Sequence, residues 1–132
     1  KRIQLLLAVL EKRIHLSIGS CDVYLKTAGG IKIDEPATDL PLSIALESSF
    51  ANRKLLPQCA IFGEVGLSGE VRAVSKARQR VEESARMGFE NIILPKKNYA
   101  EVSKLQTSAK LKLFPVESLR DAMKTAMPRE NS

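Results

Sequence analysis

Between Ala60 and Pro95 the chain carries turn and stop signals so closely set that few architectures accommodate them. Gly66-Leu67-Ser68-Gly69 separates two short runs, Ala60 to Val65 and Glu70 to Val74. The pair is predicted to form a hairpin, with glycines where a tight turn needs positive φ. Ser75 stands where a helix N-cap is expected, and Ala77, Val81, Ser84 and Ala85 form an inner stripe. Arg86 places a cation near the helix C-terminus and Gly88 closes it. Asn91 to Leu94 reads as a short buried strand stopped by Pro95.

The flanking segments extend this pattern. Ile3, Leu6, Leu7 and Leu10 recur at helical spacing, so Ile3 to Arg13 is predicted to be an amphipathic helix. Asp22 to Ala28 alternates as a strand before Gly29-Gly30, and Ile31 to Ile33 extends or returns the sheet. Pro36 breaks the strand pattern, and Thr38 or Asp39 can cap a helix that tolerates Pro41 in its first turn and runs to about Asn52. Leu40, Leu42, Ile44, Ala45, Leu46, Ser49 and Phe50 surround most of that helix, which marks it as central to the core. Lys110 to Phe114 is predicted as a further strand and Glu117 to Met127 as a final helix. The order of elements implies an α/β fold of the α+β type, a mixed sheet packed with helices, in one domain over 1–127 with a frayed tail over 128–132.

With 132 residues, 44% of them hydrophobic, the chain suffices for one buried core. The longest apolar stretch, Leu5 to Leu10, is interrupted by Glu11, Lys12 and Arg13 and is far short of a bilayer span, so no membrane partner is expected. The chain starts at Lys1 without a methionine, in a segment that already reads as mid-helix and precedes no small-residue cleavage site. It is therefore expected to be a piece of a longer protein. Cys21 and Cys59 lie far apart with only His15 as a co-ligand, so buried thiols in a reducing cytoplasm are expected rather than a zinc site or a disulfide. A net charge of +6 favours polyanionic partners. Aromatic residues at 5%, with no tryptophan, favour contact with phosphates over base stacking. No G-x-x-x-x-G-K-[ST] stretch is present, so no nucleotide cofactor is expected here.

Three stretches in fixed order carry a resemblance: Asp34-Glu35-Pro36-Ala37-Thr38-Asp39 before a helix, Gly63 to Val71 as a hairpin, and Ser75 to Arg86 leading into Gly88-Phe89-Glu90-Asn91-Ile92-Ile93-Leu94-Pro95. Together they resemble the Lon-type proteolytic domain over roughly Val23 to Asn98, which implies the ribosomal S5 domain 2-like fold. Within that group, Phe62 to Val74 is most similar to the RadA (Sms) branch of bacterial DNA-repair proteins. Lon-type proteases pair a serine nucleophile with a lysine base. The family's serine follows the proline of an Asp-Gly-Pro-Ser-Ala-Gly stretch, where Ala37 stands in this chain. The lysine closes a Gly-Gly-Leu-Lys stretch that matches Ser75-Lys76-Ala77-Arg78, so Arg78 takes its place. A guanidinium stays protonated in proteins and so accepts no proton at ordinary pH. Thr38 and Lys76 are poor substitutes, since one helical step turns a side chain by about 100° and two by about 200°. Glu64 and Glu70 read as hairpin-edge charges rather than an acid/base pair.

The resemblance implies a domain that is not an enzyme. In that branch it follows a zinc finger and a RecA-like motor, so ATP, Mg and Zn belong to upstream domains. A homo-hexameric ring, DNA and RecA are the implied partners, and the cytoplasm the implied location. The candidate DNA-backbone contacts are Arg53, Lys54, Arg72, Lys76, Arg78, Arg80, Lys96 and Lys97. Lys76 and Arg80 are expected to share an outward helix face, with Arg53, Lys54, Arg72, Lys96 and Lys97 in loops around it. Leu5, Val9, Met123 and Met127 are candidate ring contacts. Two other readings stand beside this one: an active serine peptidase with an unrecognised nucleophile, and a purely structural oligomerisation module.

Overall fold

The computed structural model describes residues 36–51, 53–105 and 110–128. The expectations for the Ile3 to Arg13 helix, the strands at Asp22 to Ala28 and Ile31 to Ile33, His15, Cys21, Leu5, Val9 and the tail beyond Pro128 lie outside those residues.

A 3-10 turn, Pro36–Thr38, leads into α1 (Asp39–Ala51). Then follow β1 (Cys59–Ile61), β2 (Glu64–Val65), β3 (Val71–Arg72), α2 (Ala77–Arg86), β4 (Asn91–Pro95), α3 (Lys96–Val102), β5 (Lys112–Val116) and α4 (Leu119–Ala126). Asp39 places a carboxylate at the positive end of α1, and Pro41 sits in the first turn, where its missing N–H costs nothing. Leu40, Leu42, Ile44, Ala45 and Ser48 are all buried, so α1 is covered on most of its circumference, as its sequence predicts.

The strands β1, β4 and β5 form a parallel sheet in the order β1-β4-β5, with Ile61 beside Ile93 and Ile93 beside Phe114. Successive side chains of a strand point to opposite faces, and here each face has its own apolar cluster. Cys59, Ile61 and Ile93 join Leu40, Ile44, Val116, Ala122 and Ala126, so α1 and α4 cover one face. Ala60, Phe62, Ile92 and Leu94 join Ala37, Ala77, Val81, Phe89 and Val102, so α2 and α3 cover the other. A parallel sheet buried on both faces gives continuous apolar runs rather than alternation, which is what Cys59 to Phe62 and Ile92 to Leu94 show.

The hairpin is smaller than its sequence suggests. The run from Ala60 divides at Phe62-Gly63: its first half enters the parallel sheet, and only Glu64–Val65 pairs antiparallel with Val71–Arg72. Gly69, at φ 83, supplies the turn conformation, and the Gly69 amide donates to the Gly66 carbonyl at 3.0 Å. The hairpin docks on the connection from β5 to α4: Val71 N donates to the Glu117 carbonyl (2.9 Å) and Leu119 N to the Gly69 carbonyl (2.8 Å).

Other expectations shift. Ser75 does not cap α2; the cap position is Lys76, in the left-handed region at φ 60, ψ 34, with no side-chain cap bond. The strand expected at Lys110 to Phe114 runs from Lys112 through Pro115 to Val116, because β5 is the outermost of the three described parallel strands, a place where proline is tolerated. Lys96 and Lys97 are not in a loop: they open α3 directly after Pro95. Arg72 likewise belongs to β3. The final helix is trimmed to Leu119–Ala126, capped by the Ser118 hydroxyl, which accepts from the Asp121 amide at 3.1 Å.

Candidate functional site

The connections leaving β1, β4 and β5 converge on one edge of the sheet, the carboxyl edge, where open α/β sheets place their ligands. Phe62-Gly63 follows β1, Lys96-Lys97 follows β4, and Glu117-Ser118 follows β5. The Pro36–Thr38 turn is fastened here by main-chain bonds: Gly63 N donates to the Ala37 carbonyl (3.0 Å) and Leu40 N to the Gly63 carbonyl (2.9 Å). This approach is close enough that a Cβ on Gly63 would meet Leu40 Cδ2 at 3.0 Å and Val71 Cγ1 at 3.3 Å. Asp39 reinforces it, its carboxylate accepting from the Val65 amide at 3.2 Å.

At the centre of this edge the chemistry is apolar. Ala37 is 2% exposed and belongs to the same cluster as Phe62 and Ala77, whereas Arg78, one residue beyond Ala77, is exposed. The methyl at position 37 thus faces hydrocarbon, and the guanidinium at position 78 sits in water. Among the described hydroxyls, those of Ser48, Ser84, Ser103 and Thr125 donate to main-chain carbonyls, and that of Ser118 caps α4.

Seven of the eight candidate cations fall into two groups, and Arg72 stands apart from both in β3. Lys76, Arg78 and Arg80 occupy the start of α2, and Lys96 and Lys97 the start of α3. Asn98 joins these helix starts: 2% exposed, it accepts from Val74 N (2.9 Å) and donates to the Val74 carbonyl (3.0 Å) and to Glu101 Oε1 (2.9 Å). Its role was not legible in the sequence, where one asparagine among lysines carries no signal of burial. Arg53 and Lys54 lie elsewhere. They follow α1 near the C-terminal end of α4, where Leu56 N donates to the Ala126 carbonyl (2.7 Å) and Arg53 Nη2 to the Met127 carbonyl, at the opposite edge of the sheet.

The cations also differ in how far their charge is already answered. Arg72 pairs with Glu70 at 2.9 Å and with Glu64 at 3.9 Å, so both hairpin carboxylates serve it, as hairpin-edge charges would. Arg72 and the Ser68 amide hydrogen-bond the Glu70 carboxylate. Bonds to main-chain N–H, then Arg72, hold it below its ordinary pKa. Lys96 pairs with Glu117 at 3.2 Å. Arg80 does not share an open face with Lys76: its Nε donates to the Ser75 carbonyl (3.0 Å), and its guanidinium lies 5.9 Å from the Phe62 ring centroid. One helical turn after a left-handed cap, it folds back over the core. Lys76, Arg78 and Lys97 are exposed and have no ion pair among the described residues.

No group of three or more His, Cys, Asp or Glu able to hold a metal occurs among the described residues, and none of their helices is long and apolar enough to cross a membrane. Cys59 is a buried free thiol.

Residues 12–129 match the sequence model of the Lon protease (S16) C-terminal proteolytic domain. The chain is 41% identical over 128 residues to the DNA repair protein RadA of Halalkalibacterium halodurans, an alignment covering 97% of this chain and 27% of that protein. It is 43% identical over 126 residues to that of Bacillus subtilis, covering 96% and 27%. To that of Streptococcus pyogenes it is 47% identical over 95 residues, covering 72% and 21%. The chain thus spans about a quarter of the length of these relatives.

Proposed function

Because this chain belongs to the Lon protease C-terminal proteolytic domain family, and is similar to DNA repair proteins named RadA, we propose that it is a non-proteolytic Lon-like domain that contacts DNA phosphates within a ring-forming repair protein. The observation that carries the loss of proteolysis is the pair of substitutions in an intact frame. The turn at Ala37 is fastened as a catalytic turn would need to be, yet it presents a methyl to an apolar cluster, and the residue matching the base is an exposed arginine. No proton can pass between those two groups.

For DNA, the contact surface is the joined start of α2 and α3. Lys76, Arg78 and Lys97 are its open cations, Arg80 and Lys96 are tethered beside it, and Arg72 is neutralised in the hairpin. Arg53 and Lys54 stand outside it. Binding is sequence-independent and displaces counterions, so affinity falls with salt at about 0.9 log units per phosphate contacted. In the intact protein the domain serves as a scaffold of the hexameric ring, with RecA as a partner, in the cytoplasm, and upstream domains would supply the ATP, Mg and Zn chemistry.

The test is duplex-DNA binding by the intact protein across a salt series. Reversing Lys76, Arg78 and Lys97 to glutamate should lower the salt slope by about 0.9 for each phosphate no longer neutralised. Reversing Arg53 and Lys54 should leave it unchanged. An unaltered slope in the triple variant would favour a purely structural module.

A further inference from the structure

On the face of the sheet that α1 and α4 cover, these helices leave a groove of about 750 Å³ between them, lined by Glu47, Arg53, Leu119, Arg120, Met123, Lys124 and Met127. Leu119, Met123 and Met127 give it an apolar lining. Met127 is mostly covered, at 2% exposed, so it forms the floor rather than an open contact as expected from sequence. Methionine is unbranched and polarizable and adapts to varied side chains, which suits a surface that receives a segment of chain. The banks are basic: Arg120 and Lys124 project from α4 and Arg53 from the end of α1, against one carboxylate, Glu47. Arg120 and Lys124 have no ion pair among the described residues, whereas Arg72, Arg86 and Lys96 each do. Arg53 is held by the Met127 carbonyl, which fixes its guanidinium at one end of the groove and leaves its other N–H donors for a ligand.

We propose that this groove is a docking site for an acidic peptide segment of another protein, with apolar side chains seated over Leu119 and Met123 and carboxylates on Arg53, Arg120 and Lys124. Charge complementarity selects the occupant: three cations against one anion repel a basic segment, while an apolar floor without aromatic rings offers nucleic-acid bases nothing to stack on. The site lies on the α1 and α4 face, the opposite face to that covered by α2 and α3, and does not depend on the DNA reading.

Fluorescence anisotropy with the intact protein tests it. The probe is a labelled peptide of aspartate, glutamate and leucine, compared with a peptide carrying lysine for each carboxylate and with a labelled single-stranded oligonucleotide. The acidic peptide should bind and the basic one should not. Arg120→Glu with Lys124→Glu should weaken the acidic peptide at least about tenfold, with an unchanged circular dichroism spectrum and unchanged binding of duplex DNA. Failure of the acidic peptide to bind, equal binding of the basic peptide, or indifference to the double reversal would each overturn the proposal. Preferential binding of the oligonucleotide, or a self-association abolished by the same reversal, would overturn it in favour of nucleic acid or a second copy.

Discussion

Ala37 and Arg78 differ from a serine–lysine dyad by two side chains, but the surroundings differ as well. Ala37→Ser would set a hydroxyl among Phe62, Ala77 and their neighbours, where an unsatisfied hydroxyl costs about 1–3 kcal/mol. Arg78→Lys would place an amine in water, where no burial drives off its proton to make it a base. The double variant is therefore expected to leave casein intact and to resist a serine-directed covalent probe; labelling at position 37 would show that the cluster opens. Lys76 carries a different tension. A non-glycine residue at φ 60 costs about 1 kcal/mol, so Lys76→Gly should raise the thermal midpoint while weakening DNA binding, a separation that calorimetry and a binding isotherm can read together. Burial pushes the Cys59 thiol up to about 12, partly offset by its hydrogen bond with the Ile93 backbone. Native protein should therefore be alkylated at Cys59 only after unfolding.

Single elements show where sequence reading succeeds and where it stops. The helix over Ala77–Arg86 was legible because its buried residues Ala77, Val81 and Ser84 recur at helical spacing and Gly88 ends it. Its first residue was not, because Ser75 has the chemistry of a cap but its neighbour Lys76 takes the left-handed turn. The helix over Lys96–Val102 gave no periodic signal: it has only seven residues, buries only Asn98 and Val102, and begins on a proline with no capping side chain. Capping is where such short elements can be tested. Ser118→Ala removes the acceptor for the Asp121 amide and should cost about 1 kcal/mol, read as a lower denaturant midpoint at constant slope. In the hairpin, the bonds that depress the Glu70 pKa favour its charged form. Their contribution is therefore present above the unfolded carboxylate pKa and fades as pH falls through the lower folded value. The Ser68 amide resonance, whose proton the Glu70 carboxylate accepts, should titrate with a midpoint below that of a free glutamate.

For the molecule as a whole, the layered α/β plan was readable from the alternation of helix and strand signals, while the division of labour between its faces was not. Composition reports eight candidate cations as one basic tendency. Only the parallel register, with Ile61 beside Ile93 and Ile93 beside Phe114, decides which helix starts meet at one edge and which cations are carried to the other. Two clusters, one on each side of a single sheet, also put the two proposed surfaces on opposite faces of the described residues. A molecule bound along α2 and α3 and another bound between α1 and α4 are held back to back, with the sheet as a partition. On the two proposals made above the domain is a coupler: it would hold both at once, and neither would have to leave for the other to arrive.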